Sequence, residues 1–386
     1  MSLSFLKSGV IHVLPMLIAL MLMAPMQVSE AADPKAFLGE QIFKDQTLSS
    51  PEGQGCVSCH NPRHGFSDPD SLEPTSEGVI KGRFGSRNAP TILYAASSPD
   101  FHFDAQQALF IGGQFDDGRS TNLSAQPGQP FLSPLEMNNQ NAAEVVAKVR
   151  KAAYADLFRR VYGAAALDDV EAAYVRITNA LSAFESSRQL NPFNSRYDRY
   201  LEGRARFTPA ERRGREIFER KDKGNCASCH PDLPENNGRD RPLFTDHSYD
   251  NLGIPRNPGN RFYEMPSPWN QKGRAFVDLG LGAVLGRADE YGKFKVPTLR
   301  NIAKTAPYMH NGYFKTLRGV IDFYNSRDSK PSCKDPMAPE AVALASGCWP
   351  APEVTENVNH DELGNLRLTE QEMADLEAFL RTLSDP

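Results

Sequence analysis

Apolar positions fall into a few periodic stretches separated by long polar loops, and the stretches come in matched pairs. "GEQIF" places Gly39 and Phe43 four residues apart, and "GREIF" does the same with Gly214 and Phe218. That spacing predicts one helix face carrying both residues, the glycine admitting another helix at close range. Each half then closes on a second apolar stripe. "RITNALSAF" aligns Ile177, Leu181 and Phe184, and "LTEQEMADLEAFLRTL" aligns Leu376, Phe379, Leu380 and Leu383. Start signals agree with two of these helices. Thr208-Pro209-Ala210-Glu211 is a capping box with proline at the first helical position, and Thr369 with Glu372 is another. The loops between are rich in Gly, Pro and Asn, as in "HNPRHGFSDPD" and "DNLGIPRNPGN", and strand alternation is confined to short pieces. The pattern predicts a mainly α-helical chain that repeats one plan twice and divides near residues 203–207.

One apolar run stands apart. Residues 10–26 are largely apolar with Pro15 inside them, Lys7 precedes, and Ser29-Glu30-Ala31 follows as a small-x-small cleavage site. This predicts a secretory signal over residues 1–31, removed from an exported protein. A membrane anchor is the alternative, but the run is short of the ~20 apolar residues a spanning helix needs. No comparable run follows, so no stable membrane insertion is expected. The 386 residues suffice for two domains with real cores. A net charge of −5 gives no basic face for nucleic acid.

The six cysteines add chemistry to the repeat. "CVSCH" spans Cys56, Cys59 and His60, and "CASCH" spans Cys226, Cys229 and His230. C-x-x-C-H is the attachment signature of c-type haem: two thiols add across the vinyl groups and the histidine reaches the iron. A thioredoxin-like pair or half a zinc site leaves the repeated histidine unexplained. Each half thus reads as helix, haem motif, loops, helix, which is the cytochrome c plan. The expected domains are residues 32–205 and 206–386, each binding one covalent c-type haem. The long loops wrap a cofactor that supplies the core they lack. Cys333 and Cys348 lie outside both motifs, and in an exported chain they are expected to form a disulfide.

At this point the chain resembles the bacterial dihaem cytochrome c peroxidases, MauG-like enzymes included. The motifs are the two C-x-x-C-H sites, "RNAPT" from Arg87, "DGR" from Asp117, "SPLEM" from Ser133, "VPTLRN" from Val296 and "TAPYMHNG" from Thr305. The resemblance runs from about Phe37 to Leu383. It implies a peroxide-reacting first haem with His60 as its protein ligand and an openable opposite face. It implies a second, electron-handling haem held by His230 and by the residue fourteen positions after His310, which is Tyr324. Peroxidases proper carry methionine there and MauG-like enzymes tyrosine. An anionic phenolate favours oxidised iron, whereas methionine raises the potential. Glu136 matches the residue that moves a proton between the peroxide oxygens. Gln126 matches a second peroxide-pocket residue, and Pro130 a small residue that keeps the iron accessible. A calcium ion between the haems is implied, held by the Asn88 side chain and the carbonyls of Thr305 and Pro307.

The sequence also departs from the family. The tryptophan that usually precedes Asp-Gly-Arg and relays electrons between the haems is Asp116 here, with Phe115 or another aromatic left to serve. The position six residues before His230, a tryptophan through which MauG reaches its partner, is Gly224, and only Trp269 and Trp349 exist. His64 stands too close to His60 to match the blocking histidine of resting peroxidases. The expected function is hydrogen peroxide-dependent oxidation in the periplasm. One version draws electrons from side chains of a partner protein. Another scavenges peroxide with electrons from a small cytochrome c or cupredoxin. A third is a non-catalytic dihaem electron carrier, against which Glu136 and Gln126 speak.

Overall fold

The computed structural model describes residues 1, 33–69, 73–232 and 241–386. The expected signal segment beyond Met1 lies outside the described residues. Asp33–Pro386 forms one compact unit. Among the described residues no helix is long and apolar enough to cross a membrane.

The described residues contain twelve α-helices. In the first half they are α1 (Pro34–Lys44), α2 (Cys56–Cys59), α3 (Gly128–Leu132), α4 (Ala142–Lys151), α5 (Ala155–Tyr162), α6 (Val170–Glu185) and α7 (Arg196–Leu201). In the second they are α8 (Pro209–Glu219), α9 (Leu281–Leu285), α10 (Leu317–Ser326), α11 (Glu340–Ser346) and α12 (Glu370–Arg381). Two small antiparallel pairs complete the regular structure: β1 (His102–Asp104) with β2 (Leu109–Ile111), and β3 (Tyr249–Asp250) with β4 (Phe294–Lys295).

The four helices expected from the periodicity pair as expected. α1 packs on α6, and α8 packs on α12. A Cβ on Gly39 would lie 1.9 Å from the Ala180 carbonyl oxygen and 2.8 Å from Phe184 Cβ. A Cβ on Gly214 would lie 1.9 Å from the Asp375 carbonyl oxygen and 2.8 Å from Phe379 Cβ. Only glycine permits either crossing, and the two crossings repeat one geometry. Both capping boxes form: the Thr208 and Thr369 hydroxyls each accept from the backbone N–H three residues on, and the Glu211 and Glu372 carboxylates accept in return.

Each pair seeds a core. Leu38, Ile42, Phe43, Ile177, Leu181 and Phe184 lie at the centre of the first. Phe218, Phe244, Phe314, Phe323, Leu376 and Phe379 lie at the centre of the second. Tyr197 and Tyr200 of α7, just before residue 205, belong to this second core. The cores are tied by polar groups as well. The Asp385 carboxylate accepts from Tyr94 Oη of the first half and Asn301 Nδ2 of the second, both at 2.7 Å. Arg300 is fully buried, pairs with both oxygens of Asp198 at 3.0 and 3.1 Å, and donates to the Pro242 carbonyl. The Cys333–Cys348 disulfide is present, closing a fifteen-residue loop behind α10 with a Cα–Cα distance of 5.0 Å.

Candidate haem sites and the ground between them

Each attachment motif opens a short helical turn. α2 carries Cys56 and Cys59 and ends at His60, while Cys226–Ser228 forms a single 3-10 turn followed by Cys229 and His230. His60 Nδ1 lies 3.2 Å from the Phe66 carbonyl oxygen, and His230 Nδ1 lies 2.8 Å from that of Phe244. A carbonyl only accepts, so Nδ1 carries the hydrogen and Nε2 keeps its lone pair for a metal. Both phenylalanines sit in the left-handed region at φ +56°, costly for a bulky side chain. The carbonyl before each one is held by a threonine hydroxyl. Thr91 donates to Gly65 at 2.6 Å, and Thr298 donates to Leu243 at 2.5 Å. The Pro-Thr pairs inside "RNAPT" and "VPTLRN" therefore do the same job twice: they fix the loop that fixes the histidine.

The thiols fit covalent attachment better than a thiolate role. Burial pushes Cys56, Cys59 and Cys226 up to about 12 and raises Cys229 as well. A redox-active or zinc-binding cysteine needs the opposite shift. Burial also lowers His60, and lowers His230 to about 4, keeping both imidazoles neutral.

Gln126, Pro130 and Glu136 share one segment, and Glu136 stands near Cys56 and Cys59 of the first motif. Pro130 lies in α3, and its carbonyl accepts from Met137 N at 3.2 Å, which folds Glu136 back beside it. Gln126 precedes α3 and its carbonyl accepts from Gln129 N at 3.1 Å. Burial raises the Glu136 carboxyl against an opposing hydrogen bond from Ser133, and its charge bears on both Cys56 and Cys59. Glu185, 6% exposed at the end of α6, is a second acid near Cys56, and burial pushes it up to about 8. Sequence reading missed Glu185, because one acid at a helix end carries no pattern. His64 is exposed on its 3-10 turn.

Tyr324 lies on α10 and faces the second motif. Burial raises its phenol, with a smaller push from charge on Cys229 and then Cys226. Asp250 and Glu362 stand beside Cys229, joined through Asn359 Nδ2 at 2.6 and 2.7 Å, and Asp250 also bears on Tyr324.

The ground between the motifs is ionic. Arg87 pairs with Asp278 at 2.7 Å and with Asp117 at 2.6 Å. Burial would raise Asp278, but Arg87 holds it at about 2. Asp116 is buried beside Arg87, Asp117, Arg119 and Lys295, and burial pushes it up to about 6. The Phe115 ring lies beneath the Arg119 guanidinium at 3.5 Å. Tyr249 stands near Asp117 and Asp116, and its hydroxyl donates to the Gly112 carbonyl at 2.5 Å. At Gly224 a Cβ would stand 2.4 Å from the Ile217 carbonyl oxygen, so a tryptophan has no room there. Asn88 Nδ2 lies 2.7 Å from the Pro307 carbonyl oxygen, and Asn88 N donates to the His310 carbonyl at 2.7 Å. Thr305, two residues before Pro307, is buried.

The family described as "Di-haem cytochrome c peroxidase" matches residues 33–206. The chain is 40% identical to the methylamine utilization protein MauG of Paracoccus denitrificans, over 93% of this chain and 90% of that one. It is 32% identical to the cytochrome c551 peroxidase of Nitrosomonas europaea, over 77% of this chain and 76% of that one. Among solved structures, the diheme peroxidase BthA of Burkholderia thailandensis is 34% identical with a TM-score of 0.76, covering 92% of this chain and 86% of that one. With two C-x-x-C-H motifs on a repeated helical frame, the chain belongs to the dihaem cytochrome c peroxidase and MauG family: a peroxide-dependent oxidoreductase carrying two c-type haems.

Proposed function

We propose that the protein is an exported, periplasmic enzyme that uses hydrogen peroxide to oxidise a protein partner. The observation that carries this reading is Tyr324, a buried phenol set against Cys226 and Cys229, at the position where a second protein ligand to the His230 haem is expected. The haems supply the redox chemistry when bound; the chain's residues hold and orient them and move protons. His60 and His230 each offer Nε2 to iron. Tyr324 offers its oxygen, and an anionic oxygen there favours the oxidised states that a protein oxidant needs. Glu136, whose carboxyl is raised by burial, would take a proton from the near oxygen of peroxide and return it to the departing one. Pro130 would bring no ligating atom to a haem held by His60, and Gln126 is the second residue expected to meet the peroxide.

A calcium ion belongs to this reading. Half a turn of the Asn88 amide presents Oδ1 where Nδ2 meets the Pro307 carbonyl, and the Thr305 carbonyl is the expected third oxygen. Chelation should then lower the thermal midpoint of the haem-loaded protein, and an unchanged midpoint removes the ion.

Tyr324→Phe deletes only the oxygen. The expected outcome is an altered electron paramagnetic resonance signal from the His230 haem with both haems still attached. An unchanged ferric signal removes Tyr324 as a ligand. The second reading, peroxide scavenging with electrons from a small cytochrome c or cupredoxin, is favoured by the likeness to the Nitrosomonas europaea peroxidase. Fast steady-state peroxide turnover with such a reduced donor would select it.

A further inference from the structure

Trp349 packs against α10, touching Phe323 and Ser326. It is 3% exposed and packs edge-on against Phe323 with ring centroids 5.2 Å apart. Phe323 in turn lies 6.4 Å, centroid to centroid, from Tyr324. Three aromatic rings therefore run in contact from the expected iron ligand to the indole. The loop closed by the disulfide fixes the far end. Cys348 adjoins Trp349, the Trp349 backbone pairs with Pro331 and Cys333, and Pro331 and Ser332 are exposed. The indole thus lies one residue beneath the surface.

Its polar neighbours hold the indole in place. Trp349 Nε1 donates to Ser326 Oγ at 3.1 Å. Ser326 Oγ lies 2.6 Å from the Asp322 carbonyl oxygen and 3.2 Å from Asp322 Oδ1. Asp322 Oδ2 is paired with Lys330 Nζ at 2.6 Å, and Lys330 also lies 5.1 Å from the centroid of the Trp349 ring. Since the Lys330 charge is matched by Asp322, the indole sees a pair rather than a lone cation.

We propose that Trp349 is the relay through which oxidising equivalents leave the second haem for a protein donor at the surface around Pro331 and Ser332. This rests on the reading of Tyr324 and His230 as the ligands of that haem. Trp349 would lose one electron to the peroxide-oxidised haem, which is reduced by one. Its Nε1 proton stays hydrogen-bonded to Ser326 Oγ, leaving an indole radical cation. One electron from the partner protein restores Trp349. The arrangement gives this chain a route that does not need Gly224, where a tryptophan cannot fit.

The test mixes the haem-loaded protein with hydrogen peroxide and follows absorbance and freeze-quenched electron paramagnetic resonance, with tryptophan deuterated on the ring. The wild type and Trp269→Phe should show a deuterium-sensitive radical. Trp349→Phe should lack it, and its peroxide-oxidised absorbance should persist roughly ten times longer. A radical and decay that are unchanged in Trp349→Phe overturn the relay while the peroxide reading stands. Absence of any absorbance change with peroxide overturns both. Should Trp349→Phe fold poorly, Trp349→Tyr decides: a tyrosyl signal in place of the tryptophanyl one supports the relay, and its absence with normal haem spectra overturns it.

Discussion

Around Cys56 and around Cys226 the same parts recur. A glycine lets two helices cross with 1.9 Å between a missing Cβ and a carbonyl. A phenylalanine carbonyl holds the histidine, and a Pro-Thr pair holds the loop beneath it. Elsewhere the halves differ. The first carries a proline in the short helix α3 followed by a raised carboxyl, Glu136; the second carries a phenol on the longer helix α10. What binds a cofactor has been kept twice, and what decides its reactivity has diverged. The ionic supports differ too. Arg300 depends on one carboxylate, Asp198, both fully buried, whereas Arg87 divides its charge between Asp117 and Asp278.

That last difference gives the largest expected effect. Asp198→Ala leaves an uncompensated buried guanidinium and should cost ~3–5 kcal/mol of stability. Asp278→Asn leaves Arg87 with Asp117 and should cost clearly less. Chemical denaturation of both variants measures this; equal losses would mean that the second carboxylate gives Arg87 no protection.

Next comes the divergence of the two faces. Glu136→Gln should slow the peroxide reaction by ~10²-fold or more, about 2.7 kcal/mol of barrier, and leave the spectrum of the His230 haem unchanged. Stopped-flow absorbance follows both. An unaltered rate would leave the first face without its proton carrier.

The smallest effect probes the shared frame. Gly39→Ala and Gly214→Ala should each lose ~1–3 kcal/mol from forced separation of the crossing helices, after the gain alanine brings to a helix interior. Thermal midpoints should fall equally. A fall in one variant alone would show that only one crossing bears the load.

Much of the frame was legible because it follows from periodicity. Gly39, Gly214 and the stripes of α6 and α12 obey the helical repeat, and the two capping boxes are local signals. The haem motifs were legible because thiol and imidazole spacing is itself the chemistry. Phe66 and Phe244 were hidden because their role belongs to a carbonyl, which every residue has. The one clue is that the residue before each is pinned by a threonine following a proline. Asp278 was hidden because its partner Arg87 lies far away in sequence and no local pattern joins them. Tyr324 became a candidate only through family spacing, since a tyrosine on an amphipathic helix otherwise reads as packing.

The carbonyl partners of the two histidines have a consequence for how the protein can change over generations. A carboxylate in that place could be lost by one substitution, and it would pull the imidazole toward the imidazolate, making it a stronger donor to iron. A main-chain oxygen does neither. Any residue that tolerates the left-handed turn at positions 66 and 244 still supplies it, and it never changes charge with acidity. The histidine of each site is thus sheltered from mutation of its hydrogen-bond partner. Variation between the haems is confined to the opposite faces, where it can accumulate without loosening the cofactor.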